Sequence, residues 1–304
     1  MLNTFYQLNT IFISMVMEAI PFVLVGVLIS GLIQAFVTEK WISRIVPNNR
    51  FLSSLFGCGI GVLFPSCECG IVPITRRLIL KGMPLHAGIA FMLTGPIINP
   101  IVLFATYIAF GNDWRMVAIR GGMAIAVAFC VSIAISFFFP KLPFKQQYAP
   151  VAATIEPSLQ HAPAPKMPVS ARIHEVITHA IDEFFSVGKY LVAGAFIAAS
   201  LQTFVPTSTL LHLGSNPITA SLIMILLAFV ISLCSEADAF IASSFRSTFG
   251  VGALSAFLVF GPMIDIKNTL MLLGTYRTKF VLVLIGLVTV FTLIGSLIVG
   301  RIAG

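Results

Sequence analysis

The chain has 304 residues, 58% hydrophobic and only 10% charged, with a mean hydropathy of +1.02. A soluble domain carries about a quarter charged residues, so a soluble enzyme or binding module is excluded, and apolar runs without alternation exclude a β-barrel. The net charge of +7 reads as cytoplasmic loops rich in Lys and Arg, with no nucleic-acid partner.

Residues 1–10 hold no Lys or Arg, so the apolar run at 11–37 reads as a retained span and not as a secretory signal. Glu18, three residues before Pro21, either opens this helix or lines a path. Lys40, Arg44 and Arg50 follow the span. Further runs at 116–139, at 217–233 with its flanks, and at 280–298 meet the ~20 residues that cross a bilayer.

The first interruption reads Pro65-Ser66-Cys67-Glu68-Cys69-Gly70, with Pro73 beyond it. Proline removes a backbone donor and glycine tolerates unusual dihedrals. Irregular backbone in a membrane protein must be buried in protein or line a cavity. Two thiols at such a break suit a soft metal or metalloid. They also suit a dithiol–disulfide cycle, although Cys-x-Cys is tight for one. Glu68 is costly inside a span and marks function; packing at a helix end is the plain alternative. Arg76, Arg77 and Lys81, and Arg246 in the second half, are expected to snorkel to the interface. His86 and His212 are isolated and expected at span ends.

Gly95-Pro96-Ile97-Ile98-Asn99-Pro100 is the second break. Gly95, Pro96 and Pro100 interrupt the helix, and Asn99 can face the cavity with the backbone groups the break frees. A structural kink is the competing reading. Residues 141–170 then hold six prolines among polar and basic residues, the mark of an extended, solvated, cytoplasmic linker.

After the linker, residues 172–190 place Ile173, Val176, Ile177, Ala180, Ile181, Phe184 and Phe185 on one helical face. His174, Glu175, Thr178, His179, Asp182 and Glu183 take the other. This is an amphipathic helix at the interface. The i,i+4 pairs among His174, Glu175, His179 and Glu183 fit a metal less well than an ordinary polar face.

The second half then repeats the first. Residues 194–205 match 26–37 at five of twelve positions, including Gly194 with Gly26 and Gln202 with Gln34. Ser232-Leu233-Cys234-Ser235-Glu236-Ala237-Asp238 matches the Cys67 segment, and Gly261-Pro262-Met263-Ile264-Asp265 matches the second break. Paired interrupted segments in two halves are the sequence mark of a transporter's binding site. The loop at 206–216 has no Lys or Arg, unlike its counterpart after the first span, which favours inverted repeats.

The expected fold is therefore an all-α, polytopic integral membrane protein with two homologous, inverted repeats. Residues 1–140 form the first transmembrane repeat, 141–170 the linker, and 171–304 the amphipathic helix and second repeat. Inversion needs an odd number of crossings per half, hence eight long spans, or ten if the interrupted segments cross. The substrate site is assigned to Cys67, Glu68, Cys69, Cys234, Glu236, Asp238, Asn99 and Asp265, with Gly70, Gly261 and Pro262 among the breaking residues. Cys67, Cys69, Cys234 and Glu236 are the candidate ligands of a soft metal carried as substrate; no resident cofactor is required. Glu68, Glu236 and Asp238 are candidate carriers of a coupling proton. Cys58 and Cys130, in plain apolar context, are expected to pack as small hydrophobes.

Pro-Ser-Cys-Glu-Cys-Gly at 65–70, Gly-Pro-x-x-Asn-Pro at 95–100 and Ser-Glu-Ala-Asp-Ala-Phe at 235–240 resemble the YraQ/YcgR-type predicted permeases, a group similar to the ArsP organoarsenical efflux permeases. The resemblance covers both halves and implies a permease of about eight membrane helices. ArsP-like members export trivalent organoarsenicals, whose arsenic prefers thiolate; Cys67, Cys69 and Cys234 match that requirement in type. Other members resemble one subunit of a two-component permease that works with a second membrane protein and is linked to proton extrusion. The Ser-Glu-Ala-Asp form of the second motif is closer to that branch.

The expectation is thus a secondary transporter in the cell's inner membrane, not an enzyme, moving a small solute between the repeats. It acts alone, as a homodimer or with a second membrane subunit. No Gly-x-x-x-x-Gly-Lys-Ser/Thr phosphate loop occurs, so the chain does not use ATP itself. The alternatives are a channel or scaffold subunit, and a membrane thiol oxidoreductase built on Cys67 and Cys69.

Overall fold

The structure, a computed structural model, describes residues 2–47, 49–63, 67–139, 142–144, 169–204 and 216–303; within them the side chains at 2, 3, 39, 43, 63, 169–176 and 179 are not described. The first half forms α1 (Leu2–Phe36), α2 (Glu39–Ile45), α3 (Arg50–Ile60), a 3-10 turn (Gly61–Leu63), α4 (Glu68–Leu80), α5 (Leu85–Ile98), α6 (Pro100–Ala109) and α7 (Trp114–Phe138). The second forms α8 (Val169–Phe204), α9 (Pro217–Ile231), α10 (Ser235–Ser244), α11 (Val251–Met263), α12 (Ile266–Thr275) and α13 (Thr278–Ala303). Among the described residues the only β pairing is one antiparallel bridge, Phe144 with Tyr276.

Five helical segments are long and apolar enough to cross a membrane, and the pair α5–α6, bent by 40°, makes a sixth. Eight long spans are not found among the described residues. The interrupted segments spread their apolar residues over short helices such as α3 and α9, of 11 and 15 residues, below the length that spans ~30 Å.

Position in the bundle follows apolarity. α5 and α11 are apolar all round and bury nearly every residue, as expected of helices enclosed by others. α1, α7 and α13 keep exposed apolar faces, among them Met17, Leu32, Phe137 and Leu282. One hydrophobic core runs through both halves. In the first, α5 packs on α3 and α7; in the second, α11 packs on α9 and α13; α7 meets α13. Among the contacts that join the halves are α4 with α12, and α6 with α10.

The matched glycines at 26 and 194 both allow backbone contact, on different partners. A Cβ on Gly26 would lie 2.6 Å from the Gly70 carbonyl oxygen of α4, and one on Gly194 would lie 2.8 Å from Lys267 Cα of α12. Only glycine permits either approach.

Several expectations are corrected here. The amphipathic stretch and the following span are one helix, α8, of 36 residues; its His174, Glu175 and His179 side chains lie outside the described residues. Glu183 is not on a wetted face. It is buried and accepts from Ser30 Oγ at 2.7 Å, Arg76 at 3.3 Å and Arg77 Nε at 3.3 Å. Arg76 and Arg77 therefore do not snorkel; they clasp α4 to α8. Lys81 Nζ donates to the Gln34 carbonyl at 2.8 Å, and Arg246 to the Phe110 carbonyl at 3.1 Å. The linker starts pinned rather than solvated: Phe144 is buried and stacks on Tyr276, with Arg277 N donating to the Pro143 carbonyl at 2.8 Å. The rest of the linker up to 168, the loop 205–215 and His212 lie outside the described residues. Cys58 packs as expected, but Cys130 is exposed, because it lies on the outward face of α7.

Candidate functional site

Two cysteines occupy equivalent backbone positions. Cys67 is the N-cap of α4 (φ −74°, ψ 172°) and Cys234 the N-cap of α10 (φ −75°, ψ 157°). Each follows an interruption. The second is made by Ser232, which ends α9 with φ 51°, in the left-handed region. A thiol is a weak hydrogen-bond acceptor, and neither cysteine side chain caps its helix. Both thiols therefore lie beside helix N-termini without capping them.

Asn99 and Asp265 are likewise paired in role. Asn99 caps α6, its Oδ1 accepting from Ile101 N at 3.0 Å, with Pro100 at the first helical position. Asp265 caps α12, its Oδ1 accepting from Asn268 N at 2.6 Å. These caps, not the Gly-Pro pairs, set the breaks: Gly95 and Pro96 lie inside α5, Gly261 and Pro262 inside α11. Proline costs a helix one backbone bond, which packing in a buried helix can tolerate; a side-chain cap with proline at N1 starts a new helix outright. Gly70 similarly lies within the first turn of α4, and Pro65 falls outside the described residues.

Cys67, Glu68, Cys69 and Cys234 come together. With Met15, Glu18, Ala19 and Phe22 of α1 and Lys267 of α12 they line one small pocket. Its free volume is about 10 Å³, room for a single water-sized particle. The Cys69 and Cys67 side chains influence each other electrostatically, as do Cys234 and Glu18. All five cysteines are free thiols. Among the described residues no three His, Cys, Asp or Glu side chains are arranged to hold a metal ion as they stand.

Lys267 is the group the sequence reading missed. It is buried, with Nζ 3.8 Å from Glu68 Oε1 and 3.7 Å from Asp265 Oδ2. Asp265 has further partners: Ser232 Oγ donates to its Oδ2 at 2.7 Å. Glu68 Oε2 has no hydrogen-bond partner among the described residues. Asn268 Nδ2 donates to the Met263 carbonyl at 2.9 Å and so satisfies an acceptor left open at the break.

Asp238 and Glu236 belong to a neighbouring charge group, centred on Arg120. This second missed residue is fully buried in α7, donating to Thr106 Oγ1 at 2.6 Å and to the Ser235 carbonyl at 2.8 Å. Asp238, Glu236 and Cys234 lie within its electrostatic reach. Asp238 is buried against Gly261, where a Cβ would come within 2.8 Å of its Oδ2. Glu236 is half-buried and also interacts electrostatically with Glu68. A charge inside an apolar run was the available signal for Arg120. Two larger grooves, about 350 and 370 Å³, meet over Gly122 and Ala126 on the outer face of α7 and carry no charged side chain.

The ArsP_1 family, described as a predicted permease, matches residues 4–301. The UPF0718 protein YcgR of Bacillus subtilis is 58% identical over 297 residues, 98% of either chain. A Streptococcus mutans protein, named as a proposed subunit of a two-component membrane permease complex, is 45% identical over 97% of this chain and 95% of its own. The UPF0718 protein YraQ of Escherichia coli is 24% identical over 43% of this chain and 36% of its own. No solved structure matches the chain.

Proposed function

The chain belongs to the ArsP_1 family of predicted permeases, and from that premise we propose that it is a secondary transporter of the cell's inner membrane whose substrate passes the Cys67–Glu68–Cys69–Cys234 pocket. One observation carries this reading: three thiols and the Glu68–Lys267 pair share a buried pocket at the N-termini of two interrupted helices. Buried charge that only served packing is replaced by apolar residues at little cost, whereas thiol and carboxylate together suit a soft metal or metalloid.

The recurrence of partners supports two repeats. α3, α5 and α7 pack among themselves as α9, α11 and α13 do, and the cross-contacts α4–α12 and α6–α10 exchange under the same correspondence. Alternating access is then a rocking of one repeat on the other about the pocket. Arg120 balances the Glu236–Asp238 side, and either carboxylate is a candidate for carrying a coupling proton. The chain works with a second membrane subunit, as the name of the S. mutans relative suggests for that protein.

The test is reconstitution into proteoliposomes, with and without the partner subunit, and flux of arsenite, Cd²⁺ and Ag⁺ under an imposed proton gradient. Saturable flux that responds to the gradient and is lost in Cys67→Ala supports the reading. Flux that does not saturate moves the protein to the channels.

A further inference from the structure

We infer that Lys267 is a tethered competitor of the substrate: its ammonium holds the Glu68 subsite at rest, and a single thiophilic cation replaces it there. The inference rests on the transporter reading and gives its substrate class.

The geometry of the pair is the first argument. At 3.8 and 3.7 Å from its two carboxylates, the ammonium is beyond hydrogen-bond distance of either. Two buried charges held by attraction alone recover little of their desolvation cost. Asp265 does not depend on Lys267, because Ser232 Oγ and Asn268 N already hold its two oxygens. Glu68 does depend on it: this buried carboxylate has one oxygen facing the ammonium and the other without a hydrogen-bond partner among the described residues. The resting pocket thus holds an incompletely satisfied anion beside a cation that meets it by charge alone.

Room and ligand type give the class. The free space takes one water-sized particle, which suits a single ion and not an organic molecule. Cys67 and Cys69 flank Glu68, and Cys234 lines the same pocket. An ion bound directly by Glu68 and a thiol gains contacts that the ammonium lacks. Hard cations gain little from sulfur. A thiol that ligates the ion gives up its proton to water, so the ion replaces the ammonium in exchange for one proton. The ligand set is incomplete at rest and assembles as the Lys267 stem withdraws.

The experiment measures Ag⁺ binding by titration calorimetry on the full-length protein in nanodiscs, in a Cys130→Ser background, with the hard cation Na⁺ as the comparison ion. Lys267→Met should bind Ag⁺ at least about tenfold more tightly than the parent, the gain expected when a competitor holding nine-tenths of the sites is removed. Lys267→Arg should bind it more weakly than the parent, because a guanidinium fork can hydrogen-bond both Glu68 oxygens. Equal or weaker binding by Lys267→Met overturns the inference. If Lys267→Met does not fold, the parent is compared with Lys267→Arg, and equal affinities overturn it. Tight binding by Lys267→Met with no Ag⁺ flux by the parent in vesicles leaves the competitor standing and sinks the transport reading. Ag⁺ flux with an affinity indifferent to residue 267 does the reverse.

Discussion

Lys267, from the second half of the chain, sits between Glu68 of the first half and Asp265 of its own helix cap. Arg120, from the first half, reaches back to the Ser235 carbonyl and the Asp238 side of the second. Each interrupted helix therefore takes its counter-charge from the opposite half.

The thiols are predicted to divide sharply. Cys67→Ala, Cys69→Ala and Cys234→Ala each abolish thiophile-dependent flux while the protein still elutes as a monodisperse peak. Cys130→Ser, on the outer face, changes neither flux nor stability. Cys58→Ala, buried, lowers stability by about 1 kcal/mol and leaves flux in place. Similar losses at all five positions contradict the site.

Arg120→Met removes the hydrogen bonds to Thr106 and the Ser235 carbonyl together with the cation nearest Asp238, and lowers stability by about 1–3 kcal/mol. Arg120→Met with Asp238→Asn removes both charges and recovers part of that loss. Thermal unfolding of the two variants in detergent makes the comparison; a double variant no better than the single shows that Arg120 acts through Thr106 and Ser235 alone.

Gly26→Ala pushes α1 from α4, because its methyl would meet the Gly70 carbonyl at 2.6 Å. The expected cost is about 1–3 kcal/mol, with flux falling as Glu18 moves from Cys234. Gly59→Ala, whose Cβ meets nothing within 4 Å, is the control and stays near the parent.

Glu183→Gln keeps the Ser30 contact but loses the charge that Arg76 and Arg77 share. It is expected to lower stability by about 1–3 kcal/mol and to release α4 from α8, seen as faster hydrogen exchange across residues 72–80. Unchanged exchange there contradicts the clasp.

The sequence made the interruptions visible, because a thiol beside a carboxylate in an apolar chain has few structural excuses. Cys67, Glu68, Cys69 and Cys234 line one pocket, and Glu236, assigned to the same site, does not line it. Lys267 escaped notice because it follows Asp265 by two residues, and such neighbours do not face each other on a helix; only the cap geometry turns both toward Glu68. The Gly-Pro pairs drew attention from Asn99 and Asp265, whose capping decides where α6 and α12 begin. Glu183 was misplaced for a general reason. Helical periodicity separates polar from apolar faces, and it does not say whether the polar face meets water or two arginines.

The crossed counter-charges also bear on biosynthesis. Chains fold from the N-terminus as they emerge, so α4 reaches the bilayer with Glu68 long before α12 supplies an ammonium. Until then Glu68 lacks the counter-charge it has in the finished protein. Severed at the linker, the two halves should be degraded when made singly and accumulate when made together. Insertion and quality control thus read the same residues that the finished protein uses to hold its substrate site.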